Sequence, residues 1–234
     1  MILSAGRGKR LYPYTEEHPK PLIPINGKPL LKHTIETLKK AGVEDFIIVT
    51  GYLAKAIQRC FGDGSELHVK IQYVYNPLYT LGNAISLKAA EALLREDEFF
   101  LLSMADHLID VNIPKRALRS LTRHPLLCVD REPLYLRRIE EATKVLVDAE
   151  NYVKGIGKDI PQWNGIDTGV FLLDHTIFKV INKLKKKVNP LTLSHCLKQL
   201  IKGHPLWACD VSGTFWIDMD TWEDLALAQR RHNP

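Results

Sequence analysis

The chain has 234 residues, 45% hydrophobic and 25% charged, enough to bury a full core as one large domain or two small ones. No secretory segment and no apolar run long enough to cross a bilayer is present, which excludes a membrane-spanning role for these residues. The net charge of +5 suits an anionic small substrate but is too small and too scattered to indicate nucleic acid, and Cys60, Cys128, Cys196 and Cys209, with no Cys-x-x-Cys pair, fit a reduced cytoplasmic protein with buried thiols.

The first element is a short strand at Ile2-Leu3, which passes at once into a basic, glycine-punctuated loop. Gly6 and Gly8 can take backbone angles that other residues avoid, and successive peptide N–H groups in such a turn form a nest for an anion. Arg7, Lys9 and Arg10 add positive charge, and Lys20 is held between Pro19 and Pro21, each of fixed φ. A stiff segment presenting an ammonium group beside an anion nest grips a polyphosphate. Neither Gly8-Lys9-Arg10 nor Gly27-Lys28-Pro29 carries the hydroxyl of a Walker loop. Leu11 stands where a dinucleotide fingerprint needs its third glycine.

Pro29 and the spacing of Leu31, Ile35 and Leu38 predict a helix ending near Ala41-Gly42. Phe46 to Val49 reads as a parallel strand covered on both faces. Lys55 to Phe61 is a short helix, Gly62-Asp63-Gly64 a turn and Val69 to Tyr75 a strand. Gly82 to Arg95 reads as a helix and Phe99 to Met104 as another buried strand. This alternation predicts a doubly wound α/β architecture. From Leu126 the rhythm changes to short strands at Leu127 to Asp130, Lys144 to Val147 and Tyr152 to Ile156, with a hairpin turn at Ala149-Glu150-Asn151. Ile166 to Leu173 is one more strand. Helices at His175 to Lys186 and Leu193 to Lys202 precede strands at Leu206 to Cys209 and Phe215 to Ile217. Lys185-Lys186-Lys187 reads as a solvated helix end. The last helix has Thr221 as its N-cap and Asp224 at the third position, with Arg230-Arg231 at its negative end. No repeat or low-complexity linker interrupts the chain, so 1–234 reads as a single domain.

Asp106 follows the apolar run Phe99 to Ala105, at the carboxyl end of a central strand, where open α/β sheets bind ligands. From that position it either holds Mg²⁺ against phosphate oxygens or caps a nearby loop. Asp218 and Asp220, in Trp216-Ile217-Asp218-Met219-Asp220-Thr221, are a second acidic cluster; Asp218 is the expected metal ligand. Asp220, beside a helix N-terminus, is the alternate. Glu141 and Asp167 sit at strand ends and can accept hydrogen bonds from ring hydroxyls. His107 has no role that the sequence defines. No zinc spacing and no nucleophile elbow is present.

The run Gly-x-Gly-x-Arg-Leu-x-Pro-x-Thr, then Pro-Lys-Pro-Leu-x-Pro, then Gly-Lys-Pro-Leu-Leu resembles the opening of the sugar-phosphate nucleotidylyltransferase family, with Lys9 where that family has a small hydroxyl residue. The resemblance implies a nucleotide-diphospho-sugar transferase-like fold: a Rossmann-like, doubly wound, mostly parallel mixed sheet with a small β-rich acceptor-binding subregion. Residues 1–110 would mainly bind the nucleotide, and 111–234 the acceptor, with the second metal ligand. It implies that Leu3, Ser4, Ala5, Gly6, Arg7 and Gly8 bind the NTP, that Arg10 and Lys20 stabilise charge at the α-phosphorus, and that Tyr79, Gly82 and Asn83 lie against base and ribose. Lys158 would grip the acceptor phosphate, with Glu141, Asp167 and Thr168 around the acceptor ring.

Met104-Ala105-Asp106-His107, Glu141-Ala142-Thr143-Lys144-Val145, Ile156-Gly157-Lys158-Asp159 and Ile166-Asp167-Thr168-Gly169-Val170-Phe171 are similar to the CTP:inositol-1-phosphate cytidylyltransferase domains of heat-loving archaea and bacteria. Those domains make CDP-inositol for di-myo-inositol phosphate solutes. They are often joined to a membrane-embedded CDP-alcohol phosphotransferase, which would put the domain in the cytoplasm or on the membrane's cytoplasmic face. The implied partners are CTP and an inositol phosphate, with Mg²⁺ as cofactor, no nucleic acid, no membrane span in this chain, and the oligomeric state left open. Two rival readings stand beside it. One is a sugar-1-phosphate or phosphocholine nucleotidylyltransferase using UTP, dTTP or CTP, which for choline needs an aromatic cage that only Trp163 and Trp216 would supply. The other is a non-catalytic nucleotide-binding regulatory subunit.

Overall fold

The computed structural model describes residues 1–120, 124–134 and 138–231. Its first half is β1 (Ile2–Ser4), α1 (Tyr14–Glu17), β2 (Pro24–Ile25), β3 (Lys28–Pro29), α2 (Leu30–Lys40), β4 (Asp45–Thr50), α3 (Ala54–Phe61), β5 (Lys70–Tyr75), α4 (Asn83–Ala89) and β6 (Phe100–Met104). Then come β7 (His107–Ile109), α5 (Asn112–Arg119), β8 (Leu126–Asp130), β9 (Lys144–Val147), β10 (Val153–Gly157) and β11 (Gly165–Leu173). The chain closes with α6 (Thr176–Leu184), α7 (Leu193–Leu200), β12 (Trp207–Asp210), β13 (Trp216–Asp218) and α8 (Trp222–Arg231).

The main sheet runs β10-β9-β11-β6-β1-β4-β5, with β8 on the other edge of β11 and β12 beyond β8. Its first half, β6-β1-β4-β5, is wholly parallel; β11 then enters antiparallel to β6. Both faces are covered. On β1, Leu3 points into one core and Ile2 into the other; β6 divides Phe100 and Leu102 from Leu101 in the same way. Helices α4, α6 and α7 pack on the first face, and α2, α3 and α5 on the second. Leu31, Ile35 and Leu38 of α2 are fully buried, each contributing about 1.5–3 kcal/mol.

Two expectations change. The helix expected to run from Gly82 to Arg95 ends at Ala89, and a single tight turn, Glu91–Leu93, follows. The stretch between Met104 and Leu126, given no element from sequence, holds β7 and α5. Pro114 lies in the first turn of α5, where backbone N–H groups have no intrahelical partner, so the ring removes nothing. The strand β7 pairs antiparallel with β13, opposing His107 to Asp218. Cys60 is exposed on α3, against the expectation of buried thiols throughout; the other three are buried.

Candidate active site

A cavity of about 600 Å³ opens at the carboxyl ends of β1 and β6. Its walls come from the glycine loop, Lys20, the end of β6 and the turn beyond it, the 138–143 segment, β11 and the end of β13. Leu3, Ser4, Ala5, Gly6 and Gly8 line it, as do Lys9, Arg10, Tyr79 and Asn83. Gly8 is required twice over. Its φ is +63°, and a Cβ there would meet the Lys20 Cβ at 2.9 Å.

Lys20 is the centre of the charge network. It is only 6% exposed. Its Nζ donates to Asp106 Oδ2 at 2.9 Å and to Asp220 Oδ1 at 2.8 Å, and lies 3.7 Å from Asp218 Oδ1. Arg10 pairs with Asp220 and, at 3.1 Å, with Glu141. Glu141 also lies 3.8 Å from Arg138, whose other contact is the buried Asp224 at 2.9 Å. Asp224 in turn accepts from the Thr221 backbone N–H at 2.8 Å, completing the cap expected for α8.

His107 lies under this cluster, its ring stacked on the Trp216 indole and its Nδ1 3.1 Å from Asp106 Oδ1. Burial opposes charge on this ring, but Asp218 and Asp106 outweigh it and push its pKa up to about 9. Burial likewise opposes ionisation of Asp106, and Lys20 with His107 reverses it, holding the carboxyl well below the usual carboxylate range. Burial pushes Asp167 up to about 6, against the pull of the Gly169 N–H and of the His107 charge.

Asp106, His107 and Asp218 offer ligand atoms that all lie within 4.8 Å of one another. Asp218 Oδ1 is buried and accepts no hydrogen bond. An orphan carboxylate oxygen facing a second ionised carboxylate is the donor set that a hard divalent cation satisfies. Asp220 differs, since its oxygens are already held by Arg10 and Lys20.

Three of the expected residues lie outside the cavity lining. Arg7 is outside the cavity wall, its guanidinium 4.9 Å from the centre of the Tyr52 ring. Gly82 is also outside; it packs on the backbone of Leu191, which a Cβ would meet at 2.1 Å. Thr168 is fully buried and donates to the Cys128 carbonyl at 3.1 Å, turned from the cavity. Lys158, Asp167 and Glu141 do line it. Sequence reasoning missed Arg138, which sits in a stretch with no pattern of its own, and gave His107 no role. Trp216 donates to Asp130 Oδ2 at 2.7 Å and is buried, while Trp163 lies outside the cavity lining, so these two form no choline cage.

A mixed α/β sheet thus carries a basic glycine loop and an acidic cluster together at its strand ends. The nucleotidyl transferase family model matches residues 1–125, and the chain belongs to that family. It is 35% identical to the "bifunctional IPC transferase and DIPP synthase" of Aquifex aeolicus and 34% identical to that of Thermococcus kodakarensis, over 98% of this chain in both cases. The chain spans about half the length of these relatives, 50% and 49%. A solved structure of the inositol-1-phosphate CTP transferase from T. maritima superposes with a TM-score of 0.84 at 30% identity, covering 99% of this chain and 95% of that one. A UDP-glucose pyrophosphorylase bound to UDP-glucose shares the fold, with a TM-score of 0.83 at 20% identity. No helix among the described residues is long and apolar enough to cross a membrane.

Proposed function

We propose that the chain transfers CMP from CTP to inositol 1-phosphate, giving CDP-inositol and pyrophosphate. The convergence of Lys20 with Asp106 and Asp218 at the floor of one cavity carries the chemistry of this reading. Likeness to the T. maritima transferase over 99% of the chain supports the substrates.

The acceptor phosphate is already an anion, so its oxygen attacks the α-phosphorus without a protein base. A new P–O bond forms, the bond from the α-phosphorus to the bridging oxygen breaks, and pyrophosphate leaves. Catalysis is then positioning and charge neutralisation. The glycine loop cradles the triphosphate. Arg10, held beforehand by Asp220 and Glu141, passes to phosphate oxygens as they enter. Lys20 neutralises charge at the α-phosphorus, and Lys158 orients the incoming phosphate. Tyr79 and Asn83 face the nucleoside, and Glu141 and Asp167 the acceptor's hydroxyls. Asp106 and Asp218 would hold Mg²⁺, which when bound supplies Lewis-acid charge stabilisation on phosphate oxygens. His107, bonded to Asp106, fixes the orientation of that carboxylate.

For the second activity in the relatives' name, DIPP synthase, we propose a membrane CDP-alcohol phosphotransferase that consumes the product. On this reading the transferase works in the cytoplasm, at the membrane's inner face where it is joined to that partner. The test is a matrix of CTP, UTP and dTTP against inositol 1-phosphate, glucose 1-phosphate and phosphocholine, read by Mg²⁺-dependent pyrophosphate release. The CTP–inositol 1-phosphate cell should dominate. A different dominant pair would reassign the substrates, and no release in any cell would leave a regulatory binding subunit.

A further inference from the structure

The net charge of +5 conceals a strong asymmetry. Residues 175–205 hold Lys179, Lys183, Lys185, Lys186, Lys187, Lys198 and Lys202 with no arginine and no acidic residue. This segment alone is therefore +7, and everything else together is −2, which corrects the scattered charge expected from composition. All seven lysines are exposed. The ion-paired lysines among the described residues are Lys20, Lys28, Lys70, Lys88 and Lys154, so none of the seven is neutralised by a carboxylate.

The fold turns this excess into a face. Helix α6 buries Ile177, Phe178 and Ile181, and α7 buries Leu193, Cys196, Leu197 and Leu200, all in the same core under one face of the sheet. Packed side by side with their apolar stripes inward, the two helices present their opposite sides in a common direction. At helical spacing those sides carry Lys179, Lys183 and Lys186 on α6 and its exit, and His195, Lys198 and Lys202 on α7 and its exit.

We propose that this two-helix face docks the protein peripherally on an anionic lipid surface. Polybasic clusters of four to eight residues are attracted to negatively charged headgroups by summed, delocalised charge, which suits point-like ammonium groups. Nucleic acid is the poorer fit. The face lacks arginines for bidentate phosphate or base contacts, and none of the exposed large apolar side chains falls within 175–205 to stack a base. The inference is independent of the substrate reading above.

The experiment is co-sedimentation of the purified chain with vesicles of phosphatidylcholine alone, or with about 30% phosphatidylglycerol, at about 50 and about 300 mM NaCl. Binding should require the anionic lipid and fall steeply with salt. Each lysine near the surface is worth about fivefold, so the triple variant K179Q/K183Q/K186Q should lose at least about tenfold in partitioning. A variant with the same loss of charge on the opposite face of the sheet, K40Q/K55Q/R59Q, should lose much less. Both should keep the wild-type melting curve and pyrophosphate release, since none of these residues lines the cavity. Equal partitioning to neutral vesicles, or equal losses in the two variants, would overturn the proposal. So would an RNA or DNA oligonucleotide that displaces the vesicles at matched phosphate concentration and whose binding the α6 variant abolishes.

Discussion

Lys20 is legible as a cation in the sequence because two prolines freeze the chain around it, but its neighbours are not. Its three carboxylate partners lie 86 to 200 positions away, and no local pattern encodes that approach. Asp106 is readable for a different reason: a five-residue apolar strand has one carboxyl end, and an acid just beyond it has to face the ligand side. Asp220 was less readable, since an acid at a helix start has a capping explanation; in the structure it holds Arg10 and Lys20 instead. Asp167 yields a prediction at this scale. Its pKa, pushed up by burial to about 6, lies above the ordinary aspartate value of 3.8, so the folded state binds the extra proton more tightly than the unfolded chain. Stability from this group is therefore lost as pH rises from about 4 to 6. The substitution Asp167→Asn keeps the acceptor for the Gly169 N–H. It should raise the melting temperature at pH 7.5, with the gain vanishing near pH 4; a gain independent of pH would contradict the assignment.

Strands and long helices follow their hydrophobic period closely, and expected and observed limits of β4, β6, β9 and β11 agree within a residue or so. The elements that were not legible, β7 and α5, have mixed polarity and an internal proline, so period alone does not mark them. Gly82 carries a packing role that its place at a helix start does not show. The glycine reads as a helix start facing the nucleotide, but φ is +108° and its bare face accepts the Leu191 backbone. Replacing it by alanine should destabilise the protein by about 3 kcal/mol or more through strain and displacement of that segment. A melting temperature close to wild type would refute this. The β7–β13 pair depends on another unforeseen contact, the buried hydrogen bond from Trp216 to Asp130. Truncation by Asp130→Ala leaves the indole N–H without its acceptor and should cost about 1–3 kcal/mol, measured by chemical denaturation. Asp130→Asn, which retains an acceptor, should cost less.

At the scale of the whole molecule, the alternation of strands and helices fixes a parallel half-sheet, and its strand ends give the location of the site. What sequence does not encode is the return of the chain. The strand β11 inserts antiparallel beside β6, and the β7–β13 pair carries Asp218 back to the first strands, so that residues from both ends of the chain share one cavity. Nor does composition reveal that the positive charge is gathered on α6, α7 and the segments that leave them. The central claim is that Lys20, drawn into the carboxylate cluster, acts at the reacting phosphorus rather than serving only as a structural counter-ion. It is tested most directly by the turnover of Lys20→Ala in Mg²⁺-dependent pyrophosphate release from CTP and inositol 1-phosphate, with circular dichroism to confirm the native fold. Loss of one preorganised donor predicts a fall in kcat of about 10²-fold or more. A folded Lys20→Ala enzyme with near-normal kcat would contradict the account.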